Sequence, residues 1–151
     1  MLGRTYEAQN CSVARALELV GERWSLLIIR DALFAGSTRF GDFQRRLGVA
    51  TNILSARLDG FVEAGLMERR RISEHSEHCE YVLTDKGRGL QPAIIALAAW
   101  GDQWAAPLGP PILFEHADCG GAVHQQISCA NCGGELGAAE VVVRRNEAAW
   151  T

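Results

Sequence analysis

The sequence predicts an α+β chain, mainly α, and three observations carry that prediction. Residues 40–47 and 51–64 each show apolar side chains at helical spacing and are parted by a tight break at Gly48. Two short runs, 66–72 and 79–83, flank the polar turn SEHSEH and read as a β-hairpin. From Thr84 and Asp85, a capping pair, a further helical pattern runs through Leu90, Ile94, Leu97 and Ala98 to Trp104. The expected order is thus a helix-turn-helix, a two-stranded wing and a long helix, with a small β ribbon after it.

Taken in order, residues 11–20 (CSVARALELV) form a first helix with Val13, Ala16, Leu17 and Val20 on one side, ended by Gly21. Residues 23–33 (RWSLLIIRDAL) form a strongly apolar second helix, its inward stripe marked by Trp24, Leu27, Ile28 and the Asp31–Ala32 step. Ser37 or Thr38 is placed to cap the helix that ends at Leu47. Gly65 stands where a helix stops in a left-handed residue. Gly87 and Gly89 weaken the start of the long helix. Its centre, PAIIALAAW, is apolar on more than one face, so it needs cover on both sides. A second copy of the chain or the C-terminal module would supply that cover, and paired half-sites on DNA favour the homodimer. Pro107 to Pro111 (PLGPP) reads as a linker, dividing the chain into residues 1–106 and 107–151.

Within residues 51–64, Leu54, Leu58, Phe61 and Val62 share one stripe, which must face a core. The opposite side carries Thr51, Asn52, Ser55, Ala56 and Asp59, with Arg57 on its flank. A helix that merely covers a core usually shows water Glu and Lys. A small polar face with one arginine suits a major groove, where Asn, Ser and Arg reach base edges or phosphates and bulk would clash.

Composition bounds this reading. The 151 residues are 48% apolar and 22% charged, as in soluble globular proteins, and allow one ordinary core and a small appendage. No apolar run approaches the roughly 20 residues that cross a bilayer, and MLGRTYEAQN lacks a secretory segment. No membrane partner and a cytoplasmic location are therefore expected. The net charge of −3 speaks against nucleic acid, but its distribution is uneven. Arg39, Arg45, Arg46 and Arg57 face only Asp42 between positions 37 and 57, and Arg69, Arg70 and Arg71 are consecutive. Phosphate binding needs only a local basic surface.

The residues CSVARALELVGERWSLLIIRDALFAGSTRFGDFQRRL, then ATNILSARLDGFVEAGLMERR and EYVLTDKGRGL, closely resemble HxlR-type bacterial transcriptional regulators, which group with the MarR-like winged helix-turn-helix proteins. The likeness covers about Cys11 to Trp104. It includes GERW before the apolar helix, RF-x-x-F-x-x-x-L, L-x-x-R-L and Y-x-L-T-x-x-G. The resemblance implies a dimeric regulator that binds operator DNA and catalyses nothing. It places base or backbone contacts at Thr51, Asn52, Ser55 and Arg57, and wing contacts at Arg70, Arg71, Ser73, Glu74, His75 and Ser76. Three departures stand out: Ser12 where proline is common, Gly60 and Phe61 in place of a charged residue and a leucine, and an acidic, His-rich wing tip. Gly60 softens its turn by about 1 kcal/mol. His75 and His78 supply the histidines of that tip.

Five cysteines, Cys11, Cys79, Cys119, Cys129 and Cys132, form no evident disulfide framework. Cys11 begins the first helix, where backbone N–H groups favour a thiolate, and members of the resembled family use such a cysteine to sense oxidants or electrophiles. It is equally a small core residue by type. Cys79 reads as structural. Near the C-terminus, His116-x-x-Cys119-Gly-Gly and Cys129-x-x-Cys132-Gly-Gly are parallel phrases. Two such knuckles, parted by a strand at 122–128, present three sulfurs and an imidazole, a closed set for structural Zn²⁺. His124 is a spare ligand. A metal-free ribbon and a Cys129–Cys132 disulfide are the alternatives. Val141 to Arg145 reads as a last strand, and Trp150 has no assignable partner.

No base is positioned for Cys11, and the chain has no H-E-x-x-H, G-x-S-x-G or glycine-rich phosphate loop, which disfavours an enzyme. A protein-interaction adaptor using the ribbon is the other class, disfavoured by Asn52, Ser55 and the arginines. An effector pocket is expected between the DNA-binding helices and the long helix, with Trp24, Trp100 and Trp104 as lining.

Overall fold

In the computed structural model, which describes residues 5–149, the helices and the wing appear in the expected order. They are α1 (Ser12–Val20), α2 (Ser25–Phe34), α3 (Phe40–Leu47), α4 (Thr51–Glu63), β1 (Met67–Arg71), β2 (Cys79–Leu83), α5 (Asp85–Arg88) and α6 (Gln91–Trp104). The chain divides into two compact units, Met1–Ile94 and Ile95–Thr151.

The first unit has one apolar core. Ile28 and Ile29 of α2, Phe43 of α3, and Leu54, Leu58 and Phe61 of α4 are buried together with Val20, Val49, Leu66, Met67, Leu83 and Ile94. Each such side chain contributes about 1.5–3 kcal/mol by leaving water. The α3–α4 turn closes on Gly48 at φ +63°, a left-handed conformation that glycine adopts without a Cβ clash. Gly65 at φ +71° ends α4 as predicted. The end of α4 is then pinned from the far side of the wing: Thr84 Oγ1 donates to the Gly65 carbonyl (2.6 Å) and Lys86 Nζ to that of Ala64 (2.7 Å). β1 and β2 pair antiparallel from Met67↔Leu83 to Arg71↔Cys79. A further bridge, Arg39↔Glu80, ties the start of α3 to the wing.

Several expectations need correction. In α1, Val20 and Ala14 are buried, whereas Val13 (65% exposed) and Leu17 (43%) face outward with Ala16, so of the predicted stripe only Val20 enters this core. In α2 the inward side is Ser25, Ile28, Ile29 and Asp31, with Leu27 at the surface. Neither Ser37 nor Thr38 caps α3. Arg39 is its N-cap residue, without a side-chain bond, because Ser37 is buried and Thr38 Oγ1 donates to Glu80 Oε1 (3.2 Å).

The helix expected from Asp85 to Trp104 is two helices, α5 and α6, broken at Gly89 and Leu90. Gly87 is required there by contact: a Cβ would lie 2.2 Å from the Leu66 carbonyl oxygen. In α6, Leu97, Trp100 and Trp104, a stripe at helical spacing, stay exposed. The predicted strands 122–128 and 141–145 are absent. The ribbon is reduced to single bridges, Glu115↔Ala122 and Ser128↔Glu135, followed by short 3₁₀ turns at Ala138–Glu140 and Glu147–Ala149. Trp150 lies outside the described residues.

Candidate nucleic-acid interface

The geometry of α4 follows from its two faces. Leu54 and Leu58 are fully buried and Phe61 nearly so, which turns Thr51, Asn52, Ala56 and Asp59 outward; Ser55 is half-buried between the faces. Gln44 Nε2 of α3 donates to Thr51 Oγ1 at 2.7 Å, fixing the first turn of α4 against the preceding helix. Asn52 is exposed, with both its amide donors and its acceptor available in the pattern that reads adenine.

The arginines are less bare than the sequence count suggested. Arg57 is mostly covered and pairs with Glu22 at 3.6 Å, so GERW and L-x-x-R-L meet in space. Arg39 lies 3.8 Å from Glu80, Arg70 lies 3.4 Å from Glu68, and Arg45 pairs with Asp42. Arg46 reaches the buried carboxylate of Asp31 (3.4 Å), which Arg30 also binds (2.7 Å). Arg71 is exposed and makes no ion pair among the described residues. The exposed pairs, Arg39–Glu80, Arg70–Glu68 and Arg45–Asp42, contribute about 0–1 kcal/mol each.

Sequence reasoning missed the part played by Arg69. Its guanidinium binds Asp59 of α4 and stacks 5.3 Å from the centroid of Tyr81, its partner in the strand register. The Tyr81 ring and hydroxyl, and then Asp59, raise the Arg69 pKa further above its already high value. Arg69 thereby links the wing to α4 and pairs with Asp59, one of the two exposed acids of that helix beside Glu63. Alternation was the available signal, since Arg69 shares the side of buried Met67 while Arg70 takes the other. At the wing tip, Ser73, Glu74 and His75 are exposed and Ser76 half-buried, with the Ser76 hydroxyl accepting from His78 N (3.0 Å).

Cys11 is exposed at the N-cap of α1, and Cys79 is half-buried. In the second unit, His116 Nδ1 lies 3.2 Å from Cys119 Sγ. The Cys129 thiol is pulled below its usual pKa by the backbone N–H groups of Cys132 and Asn131 and by the Cys132 side chain. His116 thus meets Cys119, and Cys129 meets Cys132, each within its own turn. Among the described residues, no three His, Cys, Asp or Glu side chains gather as one metal-binding group. His124 instead lines a cavity of about 570 Å³ with Ile95, Ala99, Asp102, Phe114 and Val123. Trp24, Trp100 and Trp104 do not line it.

Comparison with known proteins agrees with this geometry. The family model described as HxlR-like helix-turn-helix matches residues 19–108. The chain is similar to an HTH-type transcriptional regulator of Mycobacterium tuberculosis, 48% identical over 131 residues, covering 86% of this chain and 82% of that one. Among solved structures, PA1607, described as a candidate transcription factor, superposes with a TM-score of 0.83 at 42% identity, covering 93% of this chain and 99% of that one. Quinone-bound YodB of Bacillus subtilis matches with a TM-score of 0.52 at 30% identity, over 62% of this chain and 99% of its own. No helix among the described residues is long and apolar enough to cross a membrane. The chain belongs to the HxlR-like helix-turn-helix family, as a DNA-binding transcriptional regulator and not an enzyme.

Proposed function

We propose that the protein binds a double-stranded operator as a homodimer in the cytoplasm and releases or tightens it in response to a small, thiol-reactive molecule. One observation carries the operator reading: the first half of α4 turns Thr51, Asn52 and Ala56 outward while Leu54 and Leu58 hold it rigidly on the core. Asn52 and Ser55 then read base edges. Arg39, Arg70 and Arg71, with Ser73 and His75 of the wing, contact the backbone, and Arg57 joins them on leaving Glu22.

The exposed stripe Leu97, Trp100 and Trp104 of α6 supports the homodimer, since two tryptophans and a leucine in line are costly to leave in water. Cys11 is the thiol we assign to that signal, being exposed at the N-cap of α1. The match to a quinone-bound regulator supports electrophiles as the class. The Cys11 sulfur would add to a conjugated carbon of the electrophile, and the proton lost from the thiol would end on the adduct's oxygen, so the step needs no further oxidant.

Fluorescence anisotropy on DNA from upstream of the protein's own gene tests the reading. Asn52→Ala should weaken the specific duplex by roughly 10- to 100-fold, following about 1–3 kcal/mol per bidentate base contact. Arg71→Ala should weaken specific and random duplexes alike and lower the salt slope by about 1. Equal affinity for both duplexes in the unmodified protein would overturn the operator. A Leu97→Glu, Trp100→Glu chain that sediments like the unmodified protein would overturn the α6 dimer. Operator affinity unchanged by quinone, or changed equally in Cys11→Ser, would remove Cys11.

A further inference from the structure

The second unit contains an internal repeat of 13 residues, visible in its backbone bonds as well as its sequence. His116 N donates to the Gly121 carbonyl and Gly120 N to that of His116, both at 2.8 Å. Thirteen residues on, Cys129 N donates to Gly134 (2.9 Å) and Gly133 N to Cys129 (2.8 Å). The bridge Glu115↔Ala122 recurs as Ser128↔Glu135. The outer bond from Val123 N to Phe114 recurs as Leu136 N to Ile127. Gly120 at φ +68° and Gly133 at φ +71° occupy the same left-handed position, one residue after each cysteine. Two unrelated loops would not reproduce three bonds, a bridge and a left-handed glycine at one offset.

Both turns aim at a sulfur. The backbone N–H groups of Asn131 and Cys132 point at Cys129 Sγ. In the other turn, His116 Nδ1 lies 3.2 Å from Cys119 Sγ, near the separation of about 3.5 Å that a nitrogen and a sulfur have on one tetrahedral zinc ion. The remaining ring nitrogen, Nε2, faces Asp118 Oδ2 at 3.8 Å, the carboxylate side of an oriented histidine ligand. Meanwhile, no described residue from Ile95 to Ala149 is buried. A unit without an apolar interior needs another source of folding free energy.

We propose that His116, Cys119, Cys129 and Cys132 together bind one Zn²⁺ ion as a structural site, the ion drawing the two knuckles into a single S₃N set. The two pairs form no group of three by themselves. The ion completes the set, as in small modules whose folding is coupled to metal binding. Three thiolates and an imidazole select a soft or borderline ion over Mg²⁺ or Ca²⁺, and four protein ligands leave no position open for a substrate.

Elemental analysis of untagged full-length protein tests the site, together with zinc release to a chromophoric chelator on titration with a mercurial. One zinc per chain is expected, retained through gel filtration and released as the thiols react. Cys119→Ser and the double variant Cys129→Ser, Cys132→Ser should each hold less than a tenth of it. Cys79→Ser should hold all of it, and His116→Cys should retain it. Replacement by Co²⁺ should give the visible bands of a tetrahedral thiolate site, a readout independent of variant folding. Limited proteolysis should open residues 112–137 once the ion is stripped. Metal-free protein equally resistant to protease, a Cys129–Cys132 disulfide in the fresh protein, or zinc unaffected by the Cys119 change would each overturn the proposal. None of these readouts depends on operator binding.

Discussion

The two units are built from similar residue types and held in opposite ways. The first places Phe43, Ile28, Leu54 and Leu58 out of reach of solvent, and everything polar on its surface is positioned by that core. The second has Leu108 and Val143 almost wholly exposed and no buried residue among those described, yet repeats a backbone pattern bond for bond. Burial is non-directional and tolerates approximate placement. A turn bonded through a left-handed residue demands glycine at a fixed position, which is why the second unit shows a sequence repeat and the first does not.

That contrast can be broken by substitution. The largest effect is expected for Phe43→Ala, which should cost about 3–5 kcal/mol and abolish operator binding with the fold, measured by denaturant titration. A loss near zero would show that α3 is not held by the core. Asp31→Asn should follow. It keeps the volume but removes the charge that Arg30 and Arg46 bind, at about 1.5–3 kcal/mol. Unchanged stability would mean that α2 and α3 are joined by apolar contact alone.

A gain is expected at Ser25. Its buried hydroxyl has no hydrogen-bond partner among the described residues, so Ser25→Ala should raise stability by about 1 kcal/mol. A loss there would reveal a partner for the hydroxyl in solution. Smallest of all, Val143→Ser should change stability by less than about 0.5 kcal/mol, since its side chain is 95% exposed. A larger change would show that this segment is covered in the working assembly.

Much of the candidate interface was legible in the chain. Period and glycine placement located α3 and α4 to within a residue, because local backbone preferences and one buried stripe suffice to define a short helix. The outward position of Thr51 and Asn52 followed from the same stripe. The break between α5 and α6 was not legible: Gly87 touches Leu66, a neighbour 21 positions away that periodicity does not register. The exposure of Val13 and Leu17 was hidden too, since an apolar side has the same pattern whether its cover is the chain's own core or another surface.

By itself, then, the sequence determined the helix-turn-helix, the hairpin with its register-setting polar turn, and the paired Cys/His phrases, all of which depend on neighbours a few residues apart. Only the tertiary structure decided which arginines are free. Glu22, Asp31, Asp59 and Glu80 reach Arg57, Arg46, Arg69 and Arg39 from other elements, turning an apparent basic run into a lattice of ion pairs that leaves Arg71 open. Coulombic interaction depends on distance in space and not on separation along the chain, so charge counted in sequence windows overstated the basic surface.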